Sequence, residues 1–220
     1  VQAVGPCRII ARDVTTADPA VGSWHPHFSF ESVKSLSHNP LGTMSSRLNP
    51  SLLAELSVAI ALAAVLSLFR IKLPHLIYGG SISLHTLPIV VVALRHGMRP
   101  GALAGVAYGF VNFVMTPFFV HPIQLILDYP AAFGVLGVAG LAGRRSGRWV
   151  AAGAVLGAGA LRLAVHVLSG VVYFGDLAPA GTPAWRYSLI YNSSYMIPET
   201  LIAGVAMSVL IRRLPQGDHR

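Results

Sequence analysis

The chain has 220 residues, 54% of them hydrophobic and only 11% charged, with a mean hydropathy of +0.62 and a net charge of +8. That balance excludes an ordinary soluble domain and reads as an integral membrane protein. From Met44 onward there are 13 Lys or Arg and 5 Asp or Glu, so the basic excess belongs to the apolar part and marks cytoplasmic loops rather than nucleic-acid binding.

Residues 1–49 are polar and carry Pro, Ser and His without period, which predicts a disordered extension. The chain opens on Val, and Met44 is a plausible start, so residues 1–43 are expected to lie upstream of the native protein. His25, His27 and Trp24 read as solvated tail. The single Cys7 excludes an intramolecular disulfide and a cysteine metal cage.

Hydropathy then predicts six membrane-spanning helices over 50–214, followed by a short tail, 215–220. The first runs over residues 51–69, with Ala59 and Ala63 one turn apart, a spacing that admits a second helix closely. A Gly-rich connection, 74–83, leads into a short span, 82–94, about 20 Å long, which must be tilted, re-entrant or covered. In the third, 100–115, Gly97, Gly101, Gly105 and Gly109 form a ridge for helix contact.

The fourth span, 122–142, holds the most informative stretch, His121-Pro-Ile-Gln-Leu-Ile-Leu-Asp-Tyr-Pro. His121, Gln124 and Asp128 share a helix face at i, i+3 and i+7, and Pro130 predicts a kink just past Asp128. An ionised Asp at this depth costs about 2.5–3.5 kcal/mol, so it must face a partner, a cavity or a ligand. The fifth span, 149–173, carries Arg162, His166, Ser169 and Tyr173 as one polar stripe. The sixth, 186–210, opens with Tyr187, Tyr191, Asn192, Ser194 and Tyr195.

Nine basic residues (Arg47, Arg95, Arg99, Arg144, Arg145, Arg148, Arg212, Arg213, Arg220) fall on one side of this topology, and Arg70, Lys72 and Arg186 on the other. The positive-inside rule therefore puts both termini in the cytoplasm. The intramembrane polar groups then converge on a pocket that opens outward.

No nucleophile elbow, zinc-binding helix or paired-Asp motif is present. A metal site from His121, Asp128 and His166, as in a metal-dependent membrane enzyme, has the right donor types but no recognised spacing. One carboxylate amid many aromatics instead suits a flat, cationic, heteroaromatic solute, held by ring stacking and countercharge. A small transporter for any such vitamin or precursor is consistent with this.

The ordered blocks Tyr78-Gly-Gly-Ser-Ile-Ser-Leu, Leu87-Pro-Ile with Ala93-Leu-Arg-His-Gly, Gly105-x-x-Tyr-Gly, His121-Pro-Ile-Gln-x-x-Leu-Asp-Tyr-Pro-x-Ala-Phe, Leu136-Gly-x-Ala-Gly, His166-x-x-Ser-Gly-Val-Val-Tyr-Phe-Gly and Tyr187-Ser-Leu-x-Tyr-Asn-Ser-Ser-Tyr-Met-x-Pro-Glu carry a resemblance. Over residues 50–212 the chain resembles the thiamine-specific substrate-binding (S) component of energy-coupling factor (ECF) vitamin importers. The resemblance implies a six-helix, non-enzymatic subunit of the cell membrane that binds thiamine from outside and needs no cofactor or metal. It also implies partners: a transmembrane coupling protein and two ATP-hydrolysing subunits, since no Gly-x-x-x-x-Gly-Lys-Ser/Thr loop occurs here. It assigns Asp128 as counter-ion, followed by Tyr129, with His166, Tyr187 and Asn192 as further ligand contacts. Tyr78, Phe174 and the nearby Trp185 are its stacking residues, and Ala59 and Ala63 its docking contact. Arg162 receives no ligand role and is expected in a structural pair.

Overall fold

The computed structural model describes residues 49–77, 79–143 and 146–213. The predicted N-terminal extension, the tail, Tyr78, Arg144 and Arg145 lie outside the described residues. Besides a 3-10 turn at Gly175–Leu177, six helical segments occur among the described residues, and four are long and apolar enough to cross a membrane: Pro50–Leu68 (α1), Pro122–Leu141 (α4), Arg148–Tyr173 (α5) and Ala184–Leu210 (α6). The other two are Thr86–His96 (α2) and Met98–Met115 (α3).

Helix α1 starts where the Asn49 side chain accepts a hydrogen bond from the Ser51 N–H at 3.2 Å, with Pro50 in the first turn. Its buried residues, Leu56, Ala59, Ala63 and Ser67, recur on one face, while Val58, Leu62, Val65 and Leu68 are exposed. A face of this kind suits lipid. Ala63 has no exposed surface and joins the central core with Ile89, Val90 and Ala93, and Ala59 packs in a second core with Val92 and Ala104. Both alanines thus pack within this chain, Ala59 keeping 9% of its surface exposed.

The predicted second span is shorter than expected. Ile82 is drawn out of the helix, because Ile71 and Ile82 exchange backbone hydrogen bonds of 2.9 and 3.0 Å, and a bend and turn over 84–85 then lead into α2. The remaining 11-residue helix α2 rises only about 16 Å and buries Thr86, Pro88, Ile89, Val90, Val92, Ala93 and Leu94. It is covered by neighbours, as an apolar helix too short to span must be.

The glycine ridge on α3 is a close-packing face. A Cβ at Gly105 would overlap the Phe133 carbonyl oxygen, and one at Gly109 would stand 2.7 Å from the backbone of Tyr129 and Pro130. Helix α4 answers with Gly137 and Gly140, which meet the backbone of Ala102 and of Gly97 and Met98. Arg162 with Glu199, Gly159 with Thr200 and Gly170 with Ser188 pair in reverse order along α5 and α6, so these two helices lie antiparallel.

Helix α4 is not uniform. It passes from α-helix (Pro122–Ile126) into a π-turn (Leu127–Ala131), three α-helical residues and a 3-10 end (Val135–Leu141). Pro130 lacks the N–H that would bond the carbonyl four residues back, and the wider turn absorbs the defect. The predicted kink past Asp128 is therefore a π-turn that contains Asp128.

Because the ridge meets backbone rather than flexible side chains, Gly109→Ala should lower stability by about 1–3 kcal/mol. Gly157→Ala, with nothing within 4 Å of the added methyl, should be neutral or slightly stabilising. Thermal unfolding of the purified variants in detergent checks this, and equal midpoints for the two would refute the close-packing role.

Candidate functional site

Helices α4, α5 and α6 and the loop between α1 and α2 enclose a cavity of about 390 Å³. Asp128, Tyr129, His166, Phe174, Tyr187 and Asn192 all line it. The resemblance-derived set is thus brought together apart from Tyr78, which is not described, and Trp185, which is exposed and stands outside the lining.

Asp128 is the electrostatic centre. Its Oδ1 lies 3.2 Å from His166 Nδ1, and its Oδ2 accepts a short hydrogen bond from Gln124 Nε2. Gln124, 1% exposed, also accepts from the Val120 N–H at 3.1 Å. The carboxylate is thus held from both sides, by a neighbour one helical turn back and by the imidazole of α5. Two bonds of this kind offset part of the cost of its burial.

His121 departs from the predicted shared face. It has extended backbone (φ −149°, ψ 142°), caps α4 by accepting the Ile123 N–H at 3.2 Å, and stacks on Tyr173 with ring centroids 5.1 Å apart. Helical spacing does not apply to a residue that precedes the helix, so only Gln124 and Asp128 of the three reach the cavity. The His121–Asp128–His166 metal option loses a member by the same fact. Among the described residues no three His, Cys, Asp or Glu side chains form a metal-ligating group.

The walls are aromatic and tied down. Phe118 and Phe174 are stacked 6.0 Å apart, and Tyr187 and Tyr191 lie 6.1 Å apart. Tyr129 donates its hydroxyl proton to the Thr116 carbonyl at 2.9 Å and accepts the Phe118 N–H at 3.1 Å, so it also braces the α3–α4 loop. Asn192 donates to the Ser188 carbonyl at 2.9 Å and accepts from Tyr195 Oη at 2.9 Å. The Gly-rich loop closes one side: Tyr191 Oη donates to the Gly79 carbonyl at 2.8 Å, and Gly80, at φ +93°, rests against the Tyr195 ring, where a Cβ would stand 2.7 Å from a ring carbon. Only glycine combines that backbone angle with that approach.

Three further groups were not assigned from the sequence. His85 lines the cavity together with Arg162, and Arg162 Nη1 donates to Glu199 Oε1 at 3.0 Å. The structural pair expected for Arg162 therefore exists, with Glu199 as its partner. Arg70 and Lys72 flank the exposed Ile71 in the bridge and also line the cavity, as alternation along an extended segment requires. Glu199 ends the last quoted block and is an intramembrane carboxylate like Asp128, so the same cost criterion would have singled it out.

Comparison with known proteins agrees with this geometry. The family model described as "Thiamine transporter protein (Thia_YuaJ)" matches residues 53–217. The chain is 34% identical over 176 residues to the thiamine transporter ThiT of Bacillus subtilis, covering 74% of this chain and 92% of the relative. It is 33% identical over 180 residues to ThiT of Lacticaseibacillus paracasei, covering 72% and 89%. Among solved structures, ThiT from Listeria monocytogenes superposes with a TM-score of 0.66 at 25% identity, over 75% of this chain and 95% of that one. A multi-pass plasma-membrane protein with these relatives and a matched family model over three quarters of its length belongs to the thiamine transporter family.

Proposed function

We propose that this chain is the thiamine-binding S component of an ECF-type importer and not an enzyme. The observation that carries the reading is the carboxylate of Asp128, partly buried beside His166 in an aromatic-walled cavity of a membrane protein. A quaternised heteroaromatic ring meets a countercharge and ring faces there, each cation–π contact contributing about 0.5–2 kcal/mol. Asn192, Tyr187 and Tyr129 orient it, and a volume of about 390 Å³ suits a molecule of vitamin size.

The chain spans the membrane six times with both termini in the cytoplasm, as its charge distribution supports, so the cavity opens outward. Residues 74–83 close over the captured ligand. Release on the inner side is driven by a separate coupling protein with two ATP-hydrolysing subunits, since no phosphate-binding loop stands in this sequence. Ala59 and Ala63, the small-residue pair on α1, are the docking contact for that module.

Calorimetric titration of thiamine into the purified chain should give saturable binding and a raised unfolding temperature without added metal. A flat titration with an unchanged midpoint would overturn the reading. Asp128→Asn should weaken thiamine at least ~10-fold, yet leave a neutral analogue, with carbon in place of the quaternary nitrogen, within about 2-fold; equal losses would remove Asp128 as counter-ion. Gly80→Ala, which drives the loop off Tyr195, should chiefly raise the dissociation rate. A slowed association with unchanged dissociation would remove the loop as the closing element.

A further inference from the structure

The floor of the cavity presents a contradiction. Arg162 lines a site that is read above as taking a cation, and it is only 5% exposed, so its charge is not screened by bulk water. Arg162 lies one turn from His166 on the same face of α5, and His166 touches Asp128. A bare guanidinium there would repel the ligand that Asp128 attracts.

The surroundings of Arg162 resolve this. Glu199, 1% exposed, is outside the cavity lining and directly behind the guanidinium, with its Oε1 3.0 Å from Arg162 Nη1. His85 Nε2 stands 3.5 Å from that same carboxylate oxygen and 3.5 Å from Arg162 Nη2. Ser83 bonds the other nitrogen of His85, whose ring stacks on Tyr108 at 5.6 Å and meets Phe133 edge-on at 5.3 Å. The Arg162 guanidinium carbon lies 4.5 Å from the centre of the Phe133 ring. The guanidinium is thus held between the Phe133 ring of α4, the His85 imidazole and the Glu199 carboxylate of α6.

We propose that Glu199 is a specificity-determining residue acting through Arg162: it neutralises the guanidinium on the cavity floor, so that Asp128 sets a net negative charge in the water-excluded part of the cavity, Arg70 and Lys72 being exposed at its rim and screened by solvent, and a cationic ligand is preferred over an uncharged one of the same shape. Glu199 is a positioning and charge-balancing residue and makes no ligand contact. A clamp that merely joined α5 to α6 would affect all ligands alike. Charge balance changes the ratio between a cationic and a neutral ligand. The inference rests on the reading of the site as a thiamine site.

The experiment measures the affinity ratio of thiamine to its neutral carbon-for-nitrogen analogue in the full chain, purified in detergent. Wild type should prefer thiamine. Glu199→Gln, which keeps shape and the hydrogen bond to Arg162 but removes the charge, should lower that ratio about 10-fold or more, as an uncompensated charge in a low-dielectric site would. In Arg162→Gln with Glu199→Gln the ratio should return to within about 3-fold of wild type, because both charges are gone together. If Glu199→Gln does not fold, Glu199→Asp replaces it, drawing the charge back from the guanidinium, and the ratio should fall in the same direction but by less. A ratio unchanged in the single variant, or lowered equally in the double variant, overturns the inference while leaving the thiamine reading intact. Absence of thiamine binding by wild type overturns both.

Discussion

The pairing of Asp128 with His166 is the constraint on which the cavity depends. A carboxylate at membrane depth survives only with its lone pairs engaged, and the partners come from two directions: Gln124 from its own helix and His166 from α5. Arg162 one turn away repeats the device toward α6 through Glu199. Helix α5 therefore bears two ionisable residues on one face, and each reaches across to an acid on a different neighbour. Three helices are held in register by two polar contacts that lipid cannot satisfy, and the gap between those contacts is the cavity.

The rest of the scaffold supplies rigidity where this register needs it. Glycines on α3 let its backbone lie against Tyr129, Pro130 and Phe133 of α4, which places the π-turn and hence Asp128. Such contacts leave little room for adjustment, since interiors packed to this density respond to a single methyl group. The loop between α1 and α2 is anchored differently, by the Ile71–Ile82 bridge, by hydrogen bonds of Tyr191 with Gly79 and of His75 with Ser194, and by Leu76 buried against Tyr195 and Met196. These ties all run to α6 or to the loop itself, so the loop is carried by one helix of the cavity wall.

Most of the fold was legible because lipid-facing helices announce themselves by apolar runs, and these place α1, α4, α5 and α6 to within about two residues. The short helix α2 was less so. Its apolar run includes residues that pair as extended chain, and a backbone bridge between Ile71 and Ile82 has no hydropathy signature. Asp128 and His166 were legible as ionisable residues out of place among apolar ones. Glu199 satisfied that same criterion, but it sits beside Pro198 at the end of a polar run, where a carboxylate draws no notice. Ala59 and Ala63 are ambiguous for a different reason: small residues at i and i+4 signal a close helix contact without saying whether the neighbour is another chain or the same one. Helical spacing also misled at His121, because a capping residue has left the helix whose periodicity it was assumed to share.

A cavity built in this way has consequences for how a bound cation leaves. Its polar groups are fixed before binding, so little ordering cost opposes the ligand, and preorganisation of this kind favours slow dissociation. A carrier that bound equally well facing either side would shift no equilibrium, since only a difference in affinity between two states can do so. The contacts offering such a difference are those that join α5 to its neighbours, because any relative movement of α4 or α6 must break the His166–Asp128 or the Arg162–Glu199 pair. Displacement of α4 carries the Asp128 countercharge away from α5, and breaking the second bares a guanidinium on the cavity floor. Either event turns a cation-attracting cavity toward one that expels its cation, which links the packing of three helices directly to release.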